Sequence, residues 1–319
     1  MARRLRARPR TVDADPLGRP APDVQWRTDH RPVRARRHRS GTSAGPGAVG
    51  RRNDPTALRG STEPYATYVH DLRPHAGAQL LAAWMRELLA AADWDSPLVQ
   101  DPFGLRCLPQ VHGAALDAWS ALDQVLSVEI NAAVENPLLN ADAEGYHHHG
   151  GFHLARLGLA LDQFRLGLLG TAELSTTRLG ILLEPTFTGL PPFLAEGEDG
   201  SSALMITEYA AQSALAELRG AAQPVALGHA VISRGVEEHA SFASTGARRL
   251  LESVEHSGLV LACELVAAVR ALRMRGLVPA GDGELRSFYE GAAERLNSSV
   301  ADRNLTTDIH EAAALLAAS

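Results

Sequence analysis

Residues 152–183 and 246 to about 275 each hold a 3.6-residue apolar period over roughly thirty residues. A helix of the first length reaches on the order of 48 Å at 1.5 Å per residue, longer than an ordinary globular helix. A short neighbour cannot cover such a face, so other long helices must. The chain supplies them. Ala78, Leu80, Leu81, Trp84, Leu88 and Leu89 recur at helical spacing, ending near Asp95-Ser96-Pro97. Val111, Ala114, Ala115, Ala118, Leu122, Val125, Leu126 and Ile130 mark one face of a helix from 111 to about 131, which Asn136-Pro137 stops or kinks. A further helix is expected from 203 to about 222 behind a serine cap at Ser201 or Ser202. Shorter ones follow at 284–300 and 307–318. Aromatics are only 5% of residues, which suits close-packed helices better than sheets. The expected class is all-α, a bundle of long helices.

The first 65 residues break this pattern. Segments such as Arg3-Arg4-Leu5-Arg6-Ala7-Arg8-Pro9-Arg10 show neither helical nor strand periodicity and too little apolar surface to offset ordering entropy. Residues 1–60 hold 15 Arg against five Asp and no Glu, while the whole chain carries −6, so the remainder is strongly acidic. The arm is expected to be disordered: a nucleic-acid-binding tail, a silent tail, or sequence from outside the frame of an ancestral protein. An acidic, Ala/Leu-rich body speaks against nucleic acid as the partner of the folded part. Two cysteines are too few for a disulfide framework, no apolar run is long enough to span a bilayer, and the arginine-rich start lacks the apolar core of a secretory signal. A reduced, cytoplasmic setting is expected.

Chemistry is expected at the loop Gln100-Asp101-Pro102-Phe103-Gly104-Leu105-Arg106-Cys107-Leu108-Pro109-Gln110, which sits directly on a helix start. A guanidinium there can grip a carboxylate through two parallel hydrogen bonds. Equally, Arg106 can pair with Asp101 and pin the turn. Residues 140–151 read as loop. Their run His147-His148-His149 cannot turn three imidazoles onto one ion, so a solvated loop is favoured over a metal site.

The loop resembles that of the aromatic amino acid lyases, histidine ammonia-lyase in particular. So do Glu129-Ile130-Asn131-Ala132-Ala133-Val134-Glu135-Asn136-Pro137-Leu138, Gly150-Gly151-Phe152-His153, Leu190-Pro191-Pro192-Phe193-Leu194, Ser202-Ala203-Leu204-Met205-Ile206 and Val236-Glu237-Glu238-His239-Ala240-Ser241, in family order. The resemblance implies an ammonia-lyase-type (aspartase/fumarase-like) bundle over residues 66–319, matching the family's C-terminal portion. It implies elimination of ammonia from an aromatic amino acid to give an α,β-unsaturated acid, the amino acid binding to a homotetramer whose sites draw on several subunits. By resemblance Arg106 would bind the substrate carboxylate, Phe152 would pack on the substrate ring, and Gln100 would support the prosthetic group. Glu237 would face the substrate side chain, and as a carboxylate it favours histidine. Phe103 occupies a catalytic position where the family has tyrosine, and so lacks the hydroxyl.

Each residue has a plainer role open to it. Phe152 can be core, Glu237 can pair with Arg234 or Arg248, and Glu238 with His239 can be the interacting pair. The family's electrophile, a methylidene-imidazolone group, forms from Ala-Ser-Gly, which this sequence does not contain; His256-Ser257-Gly258 is its nearest relative and falls inside a helical pattern. No cofactor is therefore expected from this chain, and no activity unaided. A full-length family partner, an aminomutase-type relative, or a non-catalytic helical oligomerisation subunit are the alternatives.

Overall fold

The computed structural model describes residues 54–318 apart from 92, 93, 95, 97, 141, 143, 144 and 197–199. The chain runs through α1 (Asp54–Leu58), α2 (Thr67–Asp71), α3 (Ala76–Leu88), α4 (Phe103–Arg106), α5 (Leu108–Glu129), β1 (Leu138–Asn140), β2 (Gly145–His147), α6 (Ala155–Leu183), α7 (Pro185–Thr188), α8 (Met205–Ala221), α9 (Ala243–Met274), α10 (Glu284–Arg295) and α11 (Thr306–Ala318). It is the long-helix bundle expected. α6 and α9 lie against each other; α5 covers α6 on one side, α8 packs against both, and α11 covers α9.

The second half of α9 is buried all round, from Val260 to Leu272 without a break. A helix apolar on every side belongs inside a bundle, and Ala262, Cys263, Ala267, Ala268 and Ala271 keep its neighbours close. α3 and α5 approach closer still. A Cβ on Gly77 would sit 2.0 Å from the Gly113 carbonyl oxygen, and one on Gly113 would sit 2.5 Å from the Ala78 nitrogen. Only glycine fits either place.

Four expectations need correcting. The boundary at residue 65 lies too far downstream: Ala57 is fully buried and Tyr65 nearly so, because α1 packs on α6 and α9. The rest of the arm, 1–53, lies outside the described residues. The helix expected from 111 begins at Leu108, since Pro109 occupies its first turn, where a missing N–H costs nothing. Residues 140–151 are not all loop; β1 and β2 form an antiparallel hairpin pairing Leu138 with His147 and Asn140 with Gly145. The helix expected over 284–300 ends at Arg295, where Arg273 reaches across from α9 to the carbonyls of Ala293 and Leu296.

Candidate active site

α4 is a single turn carrying Phe103 and Arg106, and its inner face is fixed by the core. Leu105 is buried, its carbonyl accepting from the Tyr65 hydroxyl at 3.2 Å. Gly104 lies against α6, where a Cβ would meet Arg178 Cγ at 3.2 Å. Arg178 is wholly buried. Its Nε donates to Glu264 Oε1 at 2.5 Å, its Nη2 to Glu264 Oε2 at 3.1 Å and its Nη1 to the Gly104 carbonyl at 3.3 Å, while Ser175 Oγ also donates to Glu264. A two-pronged buried ion pair thus clamps α4 onto α6 and α9.

The outer face of α4 is open. Arg106 Nε donates to the backbone carbonyl of Asp101 at 2.8 Å, and its guanidinium lies 5.3 Å from the centroid of the Phe103 ring. The pairing of Arg106 with the Asp101 carboxylate does not form. That carboxylate accepts instead from the Ser61 amide at 2.6 Å and Ser96 Oγ at 3.2 Å, holding the loop to the preceding segment. Phe103 is 67% exposed and Gln100 is exposed beside it. Both terminal nitrogens of Arg106 remain without a partner among the described residues, so the group is held but not consumed.

Phe152 and Glu237 lie at the other end of α6. Phe152 is half-exposed, in the turn before the helix, with its ring 6.4 Å from that of His149. The next residue, His153, accepts from the Ala155 amide at Nδ1 (3.2 Å), so in the neutral ring Nε2 carries the hydrogen. Nε2 then donates to His239 Nδ1 at 2.9 Å. This imidazole bridge ties the Phe152 turn to the loop bearing Glu237. The same loop crosses α6 at Gly158, where a Cβ would meet the Ser241 carbonyl oxygen at 3.0 Å.

The start of that loop is fixed from inside. Asp162, buried within α6, pairs with Arg165 one turn on and accepts from the Val225 and Ala226 amides at 3.0 Å each. Burial holds the Arg165 guanidinium below its usual range, and the Asp162 carboxylate offsets only part of that. Glu237 itself is exposed; its backbone bridges to Ile232, and its carboxylate pairs with neither Arg234 nor Arg248. Arg248 turns to Thr245, and His239 turns to His153 rather than to Glu238.

The five residues therefore fall into two groups: Gln100, Phe103 and Arg106 near Arg178, and Phe152 and Glu237 near Gly158. Twenty residues of α6 separate those marks, about 30 Å along the helix. One amino-acid substrate cannot touch both within a chain. A cleft of ≈ 470 Å³ between α5 and α6, lined by Val128, Arg156 and Leu159 among others, includes none of the five. Among the described residues no group of His, Cys, Asp and Glu is arranged to hold a metal ion, and no helix is long and apolar enough to cross a membrane.

The positioning residues were missed in the sequence. A signal did exist for Asp162 and Arg165, an acid and a base three residues apart inside an otherwise apolar helical stretch. None existed for His153 with His239, 86 positions apart. Ser257, of the tripeptide nearest to Ala-Ser-Gly, lies mid-helix in α9 and is buried. Continuous helical backbone around it does not fit a cyclised tripeptide, which needs a tight turn.

The model of the aromatic amino acid lyase family matches residues 55–294. Histidine ammonia-lyase of Stigmatella aurantiaca is 36% identical over 268 residues, 81% of this chain and 52% of that protein. The enzyme of the same name from Caldanaerobacter subterraneus is 35% identical over 258 residues, 80% of this chain and 51% of its own length. The crystal structure of histidine ammonia-lyase from Trypanosoma cruzi superposes with a TM-score of 0.75 at 28% identity, covering 85% of this chain and 51% of that one. Phenylalanine aminomutase from Pantoea agglomerans, TM-score 0.77 at 24% identity, shares the fold. The chain spans about half the length of the curated relatives it matches.

Proposed function

We propose that this chain, which belongs to the aromatic amino acid lyase family, contributes the carboxylate-gripping and side-chain-facing groups of an ammonia-lyase pocket that closes only between subunits. One observation carries the proposal: half-buried Arg106 and the exposed Phe152–Glu237 pair lie at opposite ends of α6, about 30 Å apart. Two half-sites so placed become a whole pocket when the Arg106 end of one subunit meets the Phe152 end of another.

In that pocket Arg106, its terminal nitrogens unengaged, holds the substrate carboxylate in a fork. The Phe152 ring packs against the substrate ring. Glu237 presents an unpaired carboxylate to the side chain, which favours an imidazole N–H over a phenyl edge and so favours histidine. Gln100 stands beside the carboxylate grip. Phe103 lies under the guanidinium and cannot move a proton, so the base that removes the β proton belongs to residues outside this chain. Since Ser257 does not fit a cyclised electrophile, the family's methylidene-imidazolone group would also come from outside these 319 residues.

The test is co-expression with a full-length histidine ammonia-lyase whose arginine counterpart of Arg106 has been replaced. Mixed assemblies should regain urocanate formation, and Arg106→Gln in this chain should remove the gain. Activity no higher than that of the partner alone would reject the proposal.

A further inference from the structure

Arg270 is nearly buried, yet only partly engaged. Its Nε donates to the Leu194 carbonyl at 2.9 Å and its Nη2 to the Val300 carbonyl at 2.6 Å. Nη1 has no partner among the described residues. The residue lines a cleft of ≈ 380 Å³ between α9 and the segment joining α10 to α11. Arg303, on the facing α10–α11 segment, pairs with Asp308 through its terminal nitrogens but leaves a buried Nε unpartnered. The rest of the lining includes the apolar Val266 and Met274, one turn either side of Arg270 on α9, with Leu204 and Leu296. Exposed Glu196 also belongs to it.

We propose that this cleft binds a small organic carboxylate with a short apolar tail. The carboxylate would accept from Arg270 Nη1, and the tail would lie on Leu204, Val266 and Met274. A nearly buried guanidinium with one terminal nitrogen free gains most from a single negative charge brought close, because the low local dielectric strengthens the bond. Burial, followed by the neighbouring Arg303 charge, lowers the Arg270 guanidinium from its usual range, so an anion there relieves a real repulsion. A dianion such as phosphate is disfavoured. Glu196 and Asp302 already act on Arg270 with negative charge. The two other guanidiniums of the cleft are engaged, Arg273 by the carbonyls of Asn297, Ala293 and Leu296 and Arg303 by Asp308, so phosphate finds no second free fork. The cleft is separate from Arg106 and does not rest on the proposed lyase pocket.

The four methionines include Met274 on the cleft wall, which gives a local readout. Protein labelled with ¹³C at the methionine methyls is titrated with 3-methylbutanoate, its neutral amide, or inorganic phosphate. The carboxylate should shift the Met274 methyl saturably, and the amide and phosphate should not. Arg270→Gln should weaken binding by about tenfold or more, as expected for loss of a charge-assisted bond. Glu196→Gln, a surface change, should tighten it by about twofold to fivefold by removing a like charge. Arg106→Gln should leave it unchanged. An unmoved Met274, an equal response to the amide or phosphate, or sensitivity to Arg106→Gln would overturn the site. If Arg270→Gln does not fold, failure of Glu196→Gln to tighten binding overturns it as well.

Discussion

The two ends of α6 carry the two halves of the candidate site, and they are built differently. At the Arg106 end a short helix is clamped by a fully buried ion pair reaching from α6 to α9, and only its outer face meets solvent. At the Phe152 end two exposed loops meet, joined by an imidazole bridge and anchored by one buried acid. The loop there also carries Ser233, Arg234 and Phe242 at positive φ, a left-handed backbone that costs non-glycine residues free energy. In the proposed pocket a carboxylate grip would need one fixed geometry, which a core element supplies. The end proposed to face the substrate side chain is loop, the usual place for specificity.

Breaking the clamp should have the largest effect. Arg178→Met leaves the buried Glu264 carboxylate without its guanidinium, though Ser175 still donates to it, and should cost about 3–5 kcal/mol in urea unfolding. Replacing both with apolar residues should recover much of that loss. If Arg178→Met changed stability by less than 1 kcal/mol, the Arg106 end would not be the rigid one.

Asp162→Ala comes next. It strands buried Arg165 and frees the Val225 and Ala226 amides, costing about 2–4 kcal/mol. Hydrogen exchange should speed up from residue 224 through the Glu237 loop and leave α4 untouched. Equal loosening of both ends would erase the contrast between them.

The core between the ends has a pH signature. Burial raises the Cys263 thiol from 9.0 to about 12, so it stays protonated in the folded chain after the unfolded chain has ionised. Between those values the unfolded state binds fewer protons, so stability falls as pH rises, by up to roughly 1.4 kcal/mol per pH unit for one such group. Cys263→Ala should flatten that slope above pH 9, as read from urea midpoints. An unchanged slope would show that the thiol is not held in the core.

His239→Ala should have the smallest effect on stability, within about 0.5 kcal/mol, as for an exposed side chain. It should still raise exchange at His153 and Glu237 while leaving Arg106 alone. No change at Glu237 would mean the imidazole bridge positions nothing.

Much of the fold was readable in advance because long helices announce themselves through apolar spacing. Leu81 and Leu122 are buried where periodicity put them, while Leu80, Ala114 and Ile130 of the same expected faces are exposed. The hairpin at 138–147 was not readable: its strands of three residues are too short for an alternation to register. In the site, Asp101 is the partner that the loop reading offers Arg106, but it engages through its backbone carbonyl and not its carboxylate. A backbone carbonyl five residues earlier leaves no mark in the sequence, whereas an Asp does.

The sequence by itself determined the helices, their long central pair and the family that the motifs follow, because each of these is local or a matter of order along the chain. Which candidate residues stand together was decided only by the tertiary structure. Phe152 and Glu237, 85 positions apart, meet through the loops they occupy. Phe152 and Arg106 are nearer in sequence yet lie at opposite ends of α6, because a straight helix converts sequence separation into distance.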